Sequence, residues 1–400
     1  MPAEPPPRRT TLVLFSVVLL DLIAFGIVMP ILPSYGARYG ASDALVGVLV
    51  SSTPAMQLLF APLWGRWSDR VGRRPVLLLS LAGSALSYVL FAAAGSFAAL
   101  LLSRIAAGAL DATVNVSQAF LADRTRPEER ARAMGFIGAA FGLGFIIGPA
   151  VAGIASLFGD RLPGIIAAGI TCANVVIAWR VLPGAPAVQR APAPAAAPVA
   201  SAAGSPAERY LPLAVAFLST LGFSVLYVLL ALFAERSLGY DRPKVSGLFV
   251  VLGVVTAIVQ GGLVGRIARR LGERRLMLVG GVALALGLGA LTAATHPGLG
   301  AAGAATLLVV AMTVIGTGWG LVGPGAAGYV SRHTDAQTQG KALGVLHGVG
   351  GFARVVGPLL FGVLAGSGGF VPPFCVAAGA ALLAAAAGWN APGERRGAGA

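Results

Sequence analysis

Apolar runs of about twenty residues follow one another along almost the whole chain, and the breaks between them are short and rich in glycine, proline or arginine. A water-facing helix would alternate an apolar stripe with a polar face, and most of these runs are apolar all round. Their length matches the ~20 residues that an α-helix needs to cross an ~30 Å hydrocarbon core. The pattern predicts twelve spans, at approximately 11–33, 44–64, 75–95, 97–122, 134–158, 162–183, 210–234, 244–265, 276–295, 299–331, 340–366 and 370–390. One stretch does not fit. Residues 184–209 are Pro- and Ala-rich and poor in large apolar groups, as in a linker. The expected organisation is therefore a bundle over 1–183, a linker over 184–209 and a second bundle over 210–400. The opening Met1–Arg9 reads as a short Pro-rich tail, and the first apolar run as a span rather than a removed signal.

The breaks carry an internal repeat. Gly65-Arg66-Trp67-Ser68-Asp69-Arg70-Val71-Gly72-Arg73-Arg74 returns two hundred positions later as Gly265-Arg266-Ile267-Ala268-Arg269-Arg270-Leu271-Gly272-Glu273-Arg274. Each copy joins the second predicted span of its half to the third. A second marker agrees, since a glycine-rich run ends in Gly148-Pro149 in span five and in Gly357-Pro358 in span eleven. Small residues at such spacing let helix backbones approach closely, and a proline removes one helical hydrogen bond. The fold class expected is an all-α membrane protein, twelve transmembrane helices in two pseudo-symmetric six-helix bundles, with Gly148 and Pro149 as flexing points.

Composition sharpens this. Hydrophobic residues make up 56% of the chain and charged residues only 11%, against roughly 25% charged in soluble proteins. The formal net charge of +14 would suit nucleic acid, but the distribution argues otherwise. Apart from Arg38, Arg161, Arg236, Arg242 and Lys244 in or beside one set of alternate loops, and Arg104 and Arg354 well inside spans, the Lys and Arg fall in the tails, the linker, the other set of loops and the span ends that adjoin them. That asymmetry marks a cytoplasmic side carrying both termini. No basic stripe has interleaved aromatics, so nucleic acid is not an expected partner. Cys172 and Cys375 stand singly, with neither disulfide framework nor metal spacing. No nucleophilic triad, phosphate-cradling loop or His/Cys cluster occurs, so the chain is read as neither an enzyme nor an ATP-driven pump. No cofactor is expected other than a proton gradient, and no metal.

Charges retained inside spans are costly, about 2.5–3.5 kcal/mol each by insertion scales. Asp21 in span one and Asp111 in span four are the carboxylates well inside spans, and Arg104 accompanies Asp111. Arg104, Asp111 and Gln118 recur at seven-residue intervals with Asn115 beside them, so a continuous helix would gather them into one stripe. Asp21, Arg104 and Asp111 are read as the proton-coupling group. The competing reading makes Asp21 and Arg104 a permanent packing ion pair. His347 and Arg354 share a face of span eleven, the arginine as a fixed positive charge for a substrate. With Gln57, Asn115, Gln118, Tyr227, Gln260 and Trp319 they form the expected substrate contacts, each also explicable as helix-packing polarity.

Taken together these features resemble the major facilitator superfamily over the whole chain. The loop Gly65–Arg74 resembles its signature between helices two and three, Asp21 with Gly26, Pro30 and Pro33 its first-helix motif, and Arg104 with Gly108 its fourth-helix motif. Gly138–Gly153 resembles the fifth-helix motif of the antiporter branch. The pattern is similar to that of bacterial tetracycline/proton antiporters, through Leu20-Asp21 to Leu32-Pro33, Ser68-Asp69 to Leu81-Ala82-Gly83, and Leu121-Ala122-Asp123 to Arg132. The resemblance implies a gate in which Gly65, Asp69, Arg70, Gly72, Arg73 and Arg130 form a charge-bearing lock at the start of helix eleven. It also implies a cavity between the halves and an Arg104 that communicates with the proton site. Departures are plain: the helix-three and helix-nine carboxylates of tetracycline exporters align with Ser87 and Leu284, whereas Asp111, His347 and Arg354 are additional.

The function expected is a proton-coupled antiporter that exports a small amphipathic drug or metabolite by alternating access across a bacterial inner membrane. Its expected partners are that substrate, protons and lipid, with the protein a monomer. The alternative is a proton symporter taking up an organic anion or sugar. A non-transporting receptor and a lipid flippase complete the set of rivals.

Overall fold

Lipid offers no partner for a bare N–H or C=O, so apolar sequence of membrane length has helix as its way to satisfy its own backbone. In a computed structural model the described residues are helical almost throughout. The structure describes residues 8–125, 130–182, 205–335 and 338–392, without the side chains of 8–11, 124, 130–134, 136 and 297. Most of the expected linker and the two chain ends lie outside the described residues.

The first span is α1 (Arg8–Val28) continued by the short α2 (Leu32–Arg38), and the second and third are α3 (Asp43–Val71) and α4 (Arg73–Ala93). The fourth is two pieces, α5 (Phe97–Leu110) and α6 (Thr113–Arg124), followed by α7 (Arg130–Ser156) and α8 (Leu162–Val181). The seventh consists of α9 (Pro206–Val225), a π-helical turn at Leu226–Leu230 and α10 (Ala231–Leu238). The eighth is α11 (Arg242–Ile258), a second π turn at Val259–Leu263 and the start of α12 (Val264–Ala293). Gly272 breaks α12 with φ +76°, as Gly72 with φ +103° separates α3 from α4. The remaining spans are α13 (Gly300–Arg332), α14 (Gln339–Gly368) and α15 (Val371–Asn390). Eleven helical stretches are long and apolar enough to cross a membrane, and the break at Gly272 divides the 242–293 stretch to give twelve spans among the described residues.

The described residues form two compact units, those within 1–193 together with 227–254, and those within 194–226 together with 255–400. In the first, α1 packs on α7 along a seam of small residues. A Cβ on Gly148 would stand 2.6 Å from Gly26 Cα, and one on Gly26 would stand 2.7 Å from the Gly144 carbonyl. Gly108 brings α5 onto α3 in the same way, against the Thr53 carbonyl. Leu14, Val17, Val18, Leu77, Phe120 and Ile137 are among the fully buried side chains of this unit. In the second unit Gly280, Gly287 and Gly318 seat α12 on α13.

The duplication extends to side-chain contacts. Arg74 donates to the Trp179 carbonyl at the end of α8, and Arg274 donates to the Trp389 carbonyl at the end of α15. Arg73 is ion-paired with Asp123 at 2.9 Å, and Glu273 with Arg332 at 2.9 Å.

Candidate functional site

The fourth span was expected as one continuous helix over 97–122. Instead it stops at Asp111 and restarts at Thr113, because Asp111 takes an extended conformation (φ −83°, ψ 116°). Two side chains replace backbone partners at the gap. Asp111 Oδ1 accepts the Thr113 N–H at 3.0 Å, and Ser80 Oγ from α4 accepts the Ala112 N–H at 2.7 Å. Asp111 Oδ2 accepts from Gln57 Nε2 of α3 at 3.0 Å. The carboxylate therefore ends α5, caps α6 and faces the positive end of the α6 dipole. Arg104, Asp111 and Gln118 consequently do not share one straight helical stripe. Asn115 is exposed and Gln118 half-buried on α6.

Arg104 is buried at 3% exposure, and no carboxylate lies within ion-pair distance of it among the described residues. Its guanidinium lies 4.7 Å from the Phe91 ring centroid and 5.3 Å from that of Tyr88. It donates to Ser103 Oγ at 3.3 Å and to the Ser87 carbonyl at 3.5 Å. Aromatic faces of α4 thus replace the expected acid partner. Asp21 is likewise buried, and no hydrogen bond or ion pair reaches its carboxylate among the described residues, although it feels the charge of Asp111. The permanent Asp21–Arg104 pair is not formed. At the two positions where the resemblance led one to look for acids, Ser87 donates to the Ser84 carbonyl and Leu284 is fully buried.

The other expected contacts divide between the units. Gln57 belongs to the first, and Tyr227 is half-buried in the π turn of the seventh span. In the second unit Trp319 stacks on Phe223 with centroids 4.2 Å apart. His347 and Arg354 are exposed on α14, flanking Phe352, which stacks on Phe217 at 6.1 Å. Gln260 is exposed in the π turn of the eighth span. Of the gating residues, Asp69 pairs with Arg73 at 2.6 Å, extending the Arg73–Asp123 contact into a chain of three charges. The expected loop is largely helical: Gly65 and Arg70 lie in the last two turns of α3, where Arg70 is exposed, and Gly72 is the single break before α4; Gly148 and Pro149 lie buried in an unbroken α7, and the Arg130 side chain is outside the described residues.

One cluster was missed from the sequence. At the arginine-poor end of the first unit Asp160 accepts hydrogen bonds and charge from both Arg38 and Arg242. Arg242 also lies 5.3 Å from the Tyr35 ring centroid, Arg236 pairs with Asp43 at 2.7 Å, and Ser34 donates to Glu235 at 2.7 Å. Burial by itself would raise the Asp160 carboxyl, but the Arg38 hydrogen bond and the two guanidinium charges outweigh it and hold the carboxyl below its ordinary value. The signal was present as single charges in successive loops, without spacing to connect them. Among the described residues no three His, Cys, Asp or Glu side chains gather to hold a metal ion.

Against known proteins, the family description "Major Facilitator Superfamily" matches residues 14–346. The class D tetracycline resistance protein of Salmonella ordonez is 34% identical over 361 residues, which is 88% of this chain and 89% of that protein. The class B tetracycline resistance protein of Escherichia coli is 31% identical over 368 residues, 89% of this chain and 88% of that one. Among solved structures, the human organic anion transporter MFSD10 superposes with a TM-score of 0.71 at 27% identity, covering 96% of this chain and 100% of that one. A D-xylose-proton symporter shares the fold alone, with a TM-score of 0.75 at 17% identity.

Proposed function

The chain belongs to the major facilitator superfamily, and on that premise we propose that it is a proton-coupled antiporter that exports a small amphipathic compound across a bacterial inner membrane by alternating access. Its membrane transporter class follows from the family, as does its not being an enzyme. The observation that carries the proposal is the placement of Asp111: a half-buried carboxylate at the break of a spanning helix, with the buried Asp21 and Arg104 in the same unit.

A proton arriving on Asp111 cancels the charge that faces the start of α6 and weakens the cap on the Thr113 N–H. Chemistry and backbone shape are then linked, because a gain or loss of one proton changes what holds the two halves of the fourth span together. Arg104 supplies a fixed charge in the same unit, and Asp21 a second carboxylate. Substrate contacts fall to Trp319, Tyr227, His347 and Arg354, with Gln57 and Gln260 as polar contributors. The energetics suffice, since one charge moved is worth ~2.3 kcal/mol per 100 mV and a tenfold proton gradient about 1.4 kcal/mol. A single proton sustains at least a tenfold solute gradient.

The test is pH-driven uptake of a panel of amphipathic compounds, tetracycline included, into inverted vesicles. Asp111→Asn keeps an acceptor for the Thr113 N–H and is expected to fold while losing proton-driven uptake. Coupling equal to wild type in that variant would eliminate the role. A second reading, uptake of an organic anion with protons, is favoured by Arg354, which is exposed on α14 without a carboxylate partner among the described residues, and by the likeness to an organic anion transporter. Right-side-out vesicles under an imposed proton gradient separate the readings by the direction of substrate movement.

A further inference from the structure

The second unit contains an open recess of about 490 Å³ that shares only Gln260 with the proposed transport contacts, lined by Gln260, Gly261, Gly262, Gly265, Arg266 and Arg269. It lies where the eighth span leaves its π turn and enters the duplicated basic loop. Three facts bear on what it holds. First, a Cβ on Gly261, Gly262 or Gly265 would meet nothing within 4 Å, so packing does not demand these glycines. What their missing side chains provide is the space itself and access to backbone.

Second, the recess has cations with no protein anion to answer them among the described residues. Arg266 donates to the Gly262 carbonyl at 2.9 Å, and Arg269 makes no ion pair or hydrogen bond among the described residues. The other copy of the loop shows what is missing. Position 69, the counterpart of 269, is an aspartate paired with Arg73, whereas in this copy the acid is Glu273, which is buried against Gly328 and paired with Arg332. Two guanidiniums on adjacent turns repel one another until an anion joins them.

Third, the same stretch of the eighth span carries exposed aliphatic side chains, Ile258 at 56% and Leu263 at 42%. Charge from the arginines and bare aliphatic surface from Ile258 and Leu263 describe the complement of an amphiphile, and basic pockets at the ends of spanning helices suit phosphate headgroups.

We propose that this recess binds a phosphate-bearing anion, in the form of an anionic phospholipid headgroup, with Arg266 and Arg269 as charge partners, Gln260 as hydrogen-bond donor and the acyl chains along Ile258 and Leu263. The site is independent of the proton-coupling reading, because none of its residues belongs to the Asp21–Asp111 group.

The test uses the purified, delipidated full chain. Its thermal unfolding is followed while short-chain phosphatidylglycerol, short-chain phosphatidylcholine or inorganic phosphate is added. Phosphatidylglycerol should raise the melting temperature and phosphatidylcholine should not, by mass action on the folded state. Arg266→Gln with Arg269→Gln should weaken the phosphatidylglycerol effect about 30-fold, at ~1 kcal/mol per arginine, while Arg275→Gln, an exposed arginine of α12 outside the recess, should leave it unchanged. Gly262→Leu fills the recess without changing charge and should also abolish the effect, which keeps the proposal testable if the double variant fails to fold. Equal loss in Arg275→Gln would overturn the site in favour of general loop charge. Stabilisation by inorganic phosphate that saturates and displaces phosphatidylglycerol would overturn the lipid assignment, and no response to any of the three would overturn the site altogether.

Discussion

Arg73 and Glu273 occupy the same place in the two halves of the chain and carry opposite charge. Each follows a glycine with positive φ, and each pairs at 2.9 Å with a residue near the end of a later helix, Asp123 on α6 and Arg332 on α13. The duplicated framework has kept an ion pair at this joint and reversed its polarity, so the fold specifies the contact more strictly than the sign of either partner.

The two partners of the second pair should not be equivalent on removal. The Glu273 side chain is 8% exposed and that of Arg332 is 54% exposed. Glu273→Gln leaves a solvated arginine and should cost within about 1 kcal/mol. Arg332→Ala strands a buried carboxylate and should cost more, roughly 1–3 kcal/mol. Thermal unfolding in detergent should therefore rank Arg332→Ala below Glu273→Gln.

Glycines of α7 should separate into two kinds. Gly148→Ala presses a methyl group onto Gly26 and should destabilise by roughly 1–3 kcal/mol. Gly138→Ala points into open space and should be neutral or stabilising by up to about 1 kcal/mol. The melting temperatures of the two variants should fall on opposite sides of, or one well below, the wild-type value.

Asp160 gives a pH dependence with a definite sign. Its folded-state carboxyl is held below the ordinary value, so its stabilising contribution is complete above the usual carboxylate pKa of about 4 and is lost as pH falls through the lower folded value. The melting temperature of wild type should exceed that of Asp160→Asn by a constant margin from pH 6 to 8. That margin should shrink below about pH 4 as wild type takes up the proton.

The helix break at Asp111 depends on Ser80. Ser80→Ala leaves the Ala112 N–H without an acceptor in a fully buried place, which should cost roughly 1–3 kcal/mol. If the variant unfolds at the wild-type temperature, the gap is held by other means.

The architecture was legible because membrane length and the two-hundred-residue repeat are properties of long stretches. Local deviations were not. The gap at Asp111 occupies two residues inside an apolar run, and the seven-residue spacing of Arg104, Asp111 and Gln118 argued for continuity. The sequence Asp111-Ala112-Thr113 does carry the short polar side chain that can cap a helix, but only the acceptor from Ser80 on another helix makes capping better than continuing. Arg104 was matched to acids by charge, whereas Tyr88 and Phe91 reach it through the packing of α4 on α5, which no local pattern encodes. The Arg38–Asp160–Arg242 cluster brings together three distant loops, and only tertiary structure does that.

The π turns of the seventh and eighth spans have a consequence for the helices that contain them. Each sits at or within about a turn and a half of the point where its helix changes allegiance from one packing unit to the other, at 226–227 and at 254–255. An extra residue in a turn acts as a screw advanced by one notch, so the side chains beyond it emerge about 100° from where an even pitch would put them. Excising one residue from Leu226–Leu230 would undo that rotation, so the side chains of α10 would leave the helix turned by about 100° relative to those of α9.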